Sequence, residues 1–170
     1  EFSVANSAYA GMILGYTRIQ NNSTTNGDQL IAPDATLTVL QTAQGTDVSV
    51  VFVAPPSGNV EIQFSCLLYA SSRTLEFALS DNASFSEIHE THTYDRGAQS
   101  SDETDLNSII ISFAVTGLTA GTSYTYFIGA AETSSGTSSI YHGRHRSTGN
   151  HYPPIIVKAI ALPGTITTGE

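Results

Sequence analysis

The chain has 170 residues and a formal net charge of −9, from six Lys and Arg against fifteen Asp and Glu. That balance provides no basic surface able to neutralise several phosphates, which argues against a nucleic-acid partner and against an anionic membrane surface. No apolar run reaches the roughly 18 residues of a membrane-spanning helix, and a single cysteine, Cys66, rules out an intrachain disulfide.

Apolar residues recur with a period of two, the spacing of strands with one buried face. Ala10 to Ile19 opens the series, and Gln20 to Asp34, QNNSTTNGDQLIAPD, breaks it as a polar surface loop. Ala35 to Leu40 and Thr46 to Val53 follow, the latter ending at the turn Pro55-Pro56-Ser57-Gly58. The clearest strand is Val60 to Tyr69, where Val60, Ile62, Phe64, Cys66 and Leu68 share a face. Cys66 therefore reads as a small buried hydrophobe and not as a reactive thiol. Thr74 to Leu79 turns Leu75, Phe77 and Leu79 inward.

Asp81 to Leu106 holds seven of the fifteen acidic residues with little alternation. It is expected to be a long surface excursion, with one short turn of helix in Ser84 to His92. Ser108 to Val115 then places Ile109, Ile111, Phe113 and Val115 on one face, and Ser123 to Ala130 and Ser138 to His142 follow. In Ile155 to Leu162 both faces are apolar, interrupted only by Lys158. Such a strand belongs at a sheet centre or a subunit interface, and Pro153-Pro154, which cannot donate to a ladder, fix where it starts. About nine short strands separated by turn residues give an all-β fold, an antiparallel β-sandwich of jelly-roll type. One domain spans 1–170, with 1–35 read either as its first strand and loop or as an N-terminal arm or exchanged strand. Glu1-Phe2 in place of a starting Met reads as a joining remnant, so the chain is expected to be part of a longer protein.

GLTAGTSYTY, residues 117–126, resembles the turn and tyrosine corner of fibronectin type III domains, with Leu118, Gly121, Thr122 and Tyr124 in the matching places. Its physical content is a tight turn entering a strand, with the Tyr124 hydroxyl tied back to the preceding backbone. A broader resemblance runs through VSVVFVAPPSGNVEI, LEFALSDN, SDETD, FAVTGLTAGTSYTYFIGA and HYPPIIVKAIALPGTI, in that order, over residues 46 to 163. It is similar to a domain of bacteriophage structural proteins, especially tail-fibre and virion-surface proteins of cyanophage-like viruses. The resemblance implies a sandwich displayed on the virion surface, a homotrimer among other virion proteins, and no catalytic residue set.

The stretch from Ile140 to Leu162 gathers three of the five histidines and three of the six basic side chains. Tyr141, His142, Arg144, His145, Arg146, His151 and Tyr152 are its candidate ligand-binding residues. Arg144 and Arg146 share a face if the segment is extended, and guanidinium forks grip carboxylates or sulfates. The tyrosines bracket them with rings that stack on a sugar face or fill an interface. The competing reading pairs these arginines with Asp95, Asp102, Glu103 or Asp105, within a subunit or across an interface. No cofactor is expected; His89 with His92, and His142 with His145 supplemented by His151, have the H-x-x-H spacing from which a metal site would be built. In a strand, residues three apart point to opposite faces, so only a loop or turn brings such a pair onto one ion.

No G-x-S-x-G elbow is present, EF-hand spacing is absent, and the acids of SDETD are those of a solvated loop. The expectation is a non-enzymatic virion-surface domain, a tail-fibre tip or receptor-binding domain contacting a host-surface glycan or protein. Its rivals are a capsid decoration or fibre-connecting module without a host ligand, and a secreted carbohydrate-binding accessory domain.

Overall fold

A computed structural model describes residues 8–20, 28–31, 36–42, 45–70, 74–95, 106–132, 138–144 and 151–166. Thirteen strands and no helix occur among them: β1 (Ile13–Ile19), β2 (Asp28–Ile31), β3 (Thr38–Val39), β4 (Ser49–Val53), β5 (Val60–Ala70), β6 (Thr74–Ser80), β7 (Glu90–Asp95), β8 (Leu106–Val115), β9 (Ser123–Glu132), β10 (Ser138–Tyr141), β11 (Gly143–Arg144), β12 (His151–Tyr152) and β13 (Ile155–Ala161).

Several of these strands are pieces of one row. On one side of β5, β10 pairs with Leu67 to Ala70 and β13 pairs with Val60 to Ser65, both antiparallel, so the two lie end to end. β1 and β2 flank them in the same manner, on β13 and β10. The other side of β5 carries β8 along ten rungs. The first sheet thus has four rows: β1/β2, β13/β10, β5 and β8. The second has β3/β4, β9, β6 and β7, with β3 and β4 end to end on β9. Successive rows alternate between the sheets except for the β6–β7 hairpin. This is jelly-roll topology, and every pairing is antiparallel.

The inward faces of both sheets are apolar and close into one core. Val60, Ile62, Phe64, Cys66 and Leu68 of β5 meet Leu75, Phe77 and Leu79 of β6, and the rings of Phe64 and Phe77 lie 5.7 Å apart. Each such side chain contributes about 1.5–3 kcal/mol by leaving water. β13 runs between β1 and β5: Ile155, Val157, Ala159 and Ala161 are buried, while Ile156, Lys158 and Ile160 are half-buried on the outer face. Of the two places open to a strand with two apolar faces, this is the sheet interior. The tyrosine corner forms, with the Thr119 N–H donating to the Tyr124 hydroxyl at 3.1 Å.

Three expectations are corrected. Asp81 to Leu106 is not wholly a surface excursion, because it contains β7, paired with β6 over six rungs. The inward positions of β7 are Glu90, His92 and Tyr94, so its period of two carries no hydrophobic signal. Gln20 to Asp34 contains β2, four residues, which is too short for alternation to register. Residues 84–89 form no helical turn. They belong to a bent loop in which the Ser80 hydroxyl donates to the Glu87 carbonyl, and the Asn82 side chain accepts from the Ser84 N–H at 2.8 Å. This loop folds the Phe85 ring onto Gly129 on the outer face of β9, beside Ala78.

Candidate functional site

β10 ends at Tyr141, opposite Leu67, and its row resumes on β5 at Ile156, opposite Ser65. Between these rungs the chain leaves the sheet and returns, and β11 and β12 form a two-rung ribbon in the excursion. One row further out, β1 ends at Ile19 on Ile155 and β2 begins at Asp28 on Tyr141. The departures at 20–27 and 142–154 therefore leave neighbouring rows at one level, where β5 carries Cys66. The rungs that flank both departures belong to one strand ladder.

Tyr141 and Tyr152 stand at the root of the second excursion. Their rings stack with centroids 4.8 Å apart and planes 25° apart, and both are half-buried. Backbone register places Gly143 opposite Tyr152 and Arg144 opposite His151. Of the candidate set read from the sequence, the ribbon sets Arg144 opposite His151, and ring stacking joins Tyr141 to Tyr152. His145 and Arg146 lie outside the described residues, as do Asp102, Glu103 and Asp105.

His142 has a different position from the one expected of a ligand contact. Ile140 faces inward, and His142, two positions on, is fully buried. A surface ligand does not reach it. The nearest precedent in the chain is Glu132 at the end of β9, also buried on the core-facing side of its strand.

The second histidine pair divides as well. His89, before β7, lies 3.5 Å from the Asp81 carboxylate and edge-on to the Tyr126 ring. His92, on β7, sits 2.9 Å from Glu90 and edge-on to Phe113. The imidazoles serve separate clusters, so His89 and His92 do not form a metal pair. No group of three His, Cys, Asp or Glu able to hold an ion is present among the described residues.

Cys66 faces the core, where burial pushes its thiol far above the ordinary range. Burial, with Asp81 and Tyr124 nearby, pushes the Tyr126 hydroxyl up to about 12.

One contact had no sequence signal. Glu90 Oε2 accepts the Ala114 N–H at 2.8 Å, joining β7 in one sheet to the edge of β8 in the other. Beside it runs a groove of about 360 Å³, lined by His92 to Tyr94 of β7 and Ile109 to Ser112 of β8.

No family model and no curated protein matches the chain. Among solved structures it is similar to Eiger TNF from S. frugiperda, at 14% identity and a TM-score of 0.46, over 93% of this chain and 98% of that one. It is also similar to part of dimeric latent PorU from Porphyromonas gingivalis, at 11% identity and a TM-score of 0.38, over 92% of this chain and 14% of that one.

Proposed function

We propose that the chain is a non-enzymatic binding domain of a virion surface, a tail-fibre tip or receptor-binding domain that acts as a homotrimer on a host-surface glycan or protein. The observation that carries the binding role is the pair of neighbouring excursions on one strand ladder, rooted by the stacked Tyr141 and Tyr152. The virion setting rests on the sequence resemblance over residues 46 to 163.

The physical logic is avidity. Repeating a weak site in fixed geometry raises overall affinity by orders of magnitude without a new contact. Arg144 and Arg146 supply charge for anionic groups on the host surface, and the tyrosine rings supply an apolar face for a sugar. The test is binding of the purified protein to host cells and to a glycan array, for wild type, Arg144→Ala with Arg146→Ala, and Tyr152→Ala. Binding should fall at least about tenfold in each variant, equivalent to about 1.4 kcal/mol. Undiminished binding by variants with wild-type unfolding curves would refute the assignment of this tip.

A further inference from the structure

The exposed apolar side chains are unevenly placed. Nine large hydrophobics are exposed among the described residues. Tyr9, Met12, Ile13 and Tyr16 lie on β1 or the residues leading into it, and Val51 and Val53 lie on β4. β1 and β4 are the outermost rows of their two sheets on one side of the sandwich. The remaining three, Ile88, Leu106 and Ile110, lie on or beside β7 and β8, the outermost rows on the opposite side.

These two edges differ in shape and charge. The β1/β4 edge is sealed: Gly15 lies so close to β4 that a Cβ there would be 2.4 Å from the Val51 carbonyl oxygen. Its apolar side chains stand out from a closed seam, with Ile13 53% and Tyr16 52% exposed. The β7/β8 edge is open, bridged by Glu90 and hollowed by the groove beside Ile110, which is 68% exposed. Arg18 and Lys158, the cations among the described side chains, lie on β1 and β13. Asp81, Glu87 and Glu90 lie along the approach to β7 and on it.

We infer that the chain associates head to tail with further copies of itself, the β1/β4 edge of one copy seating on the β7/β8 edge of the next. An isologous contact would use one of these edges and leave the other bare, whereas a heterologous contact covers both and closes into a ring when the rotation allows. The fit sets an exposed apolar edge on a grooved one, with Arg18 and Lys158 beside the first and Asp81, Glu87 and Glu90 along the second. This deepens the homotrimer proposed above and rests on it, assigning the surfaces that join its subunits.

The experiment uses light scattering on the purified chain, whose mass is 18.0 kDa, with Tyr16→Asp on one edge and Ile110→Asp on the other. Wild type should run as an oligomer and each variant alone as a single chain. An equimolar mixture of the two variants should regain a particle of twice the chain mass, because one intact edge of each remains to meet the other. Tyr16→Ser and Ile110→Ser serve if an Asp variant fails to give a cooperative thermal transition. Variants that stay oligomeric would overturn the edge assignment and leave the oligomer standing. Dissociated variants that never form the mixed dimer would overturn the head-to-tail arrangement. A wild-type protein of 18.0 kDa at every concentration would overturn the inference together with the homotrimer.

Discussion

Gly129 offers a quantitative probe of how the second sheet is covered. A Cβ at this position would fall 2.4 Å from Phe85 Cζ, 2.5 Å from Cε1 and 2.9 Å from the Thr38 carbonyl oxygen. Real carbon atoms do not approach so closely, so in Gly129→Ala the Phe85 ring must lift off the sheet. Loss of its burial costs about 1.5–3 kcal/mol. Residual crowding against the Thr38 backbone adds about 1 kcal/mol, the low end for overpacking. The expected destabilisation is therefore about 2.5–4 kcal/mol. Phe85→Ala alone should cost about 3 kcal/mol, at the low end for a buried phenylalanine. Phe85 has a φ of 53°, in the left-handed region, so Phe85→Gly should be less damaging than Phe85→Ala by about 0.5–1 kcal/mol. With the ring gone, the new methyl loses its two closest neighbours, so the double variant Gly129→Ala/Phe85→Ala should fall short of additivity by about 1 kcal/mol or more. Urea unfolding with the slope checked for constancy measures each value. A Gly129→Ala protein within about 0.5 kcal/mol of wild type, or strict additivity, would show that Phe85 does not seal this face.

Tyr124→Phe removes the acceptor of the Thr119 N–H and should cost about 0.5–1.5 kcal/mol, read as a lower thermal midpoint; an unchanged midpoint would deny the corner a stabilising role. Glu90→Ala strips the Ala114 amide of its acceptor, so that amide should exchange with deuterium faster while the β5–β8 ladder amides keep their protection; equal exchange at Ala114 would remove the bridge. Cys66, buried with its thiol held protonated, should resist a thiol reagent in the native state and react at the rate of unfolding, whereas immediate reaction would contradict its burial. The raised Tyr126 hydroxyl, about 12 against an ordinary 10, favours the neutral folded form. Its stabilisation is complete below pH 10 and is lost as pH rises towards 12, so Tyr126→Phe should flatten stability over that window, and an unchanged slope would exclude Tyr126 as its source.

Strands with an apolar inward face were legible from spacing alone, and β5 and β8 show why: Phe64, Cys66, Phe113 and Val115 repeat at every second position and are buried. β7 escaped because two of its three inward positions are the polar Glu90 and His92, which meet the Ala114 amide and the Phe113 ring, and Tyr94 alone packs there as a hydrophobe against the core. Tyr141 and Tyr152 were legible as a bracket, since aromatic rings flanking a polar run are a local pattern. His142 was grouped with its sequence neighbours, although the strand period it shares with Ile140 turns it inward. That 20–27 and 142–154 leave neighbouring rows at one level was hidden because it depends on which row lies beside which. The pit for Phe85 was hidden too, for it needs Gly129 and Ala78 from separate strands.

Three rows of the sandwich share a construction. The β1/β2 row breaks at 20–27, the β13/β10 row breaks at 142–154, and the β3/β4 row breaks around Leu40 to Val48, where both end residues bond to Ile128. In each, the rungs before and after the break are set by neighbouring strands, so what lies between is carried as cargo. Doubling the length of a flexible segment between fixed ends costs only about 0.6 kcal/mol. The sandwich is thus a set of sockets: the segment 143–154 can be exchanged, lengthened or grafted while the buried His142 and Ile155 stay in place and Leu67 and Ser65 keep their partners. A lineage built on this fold can replace such a segment wholesale and leave every core residue as it was.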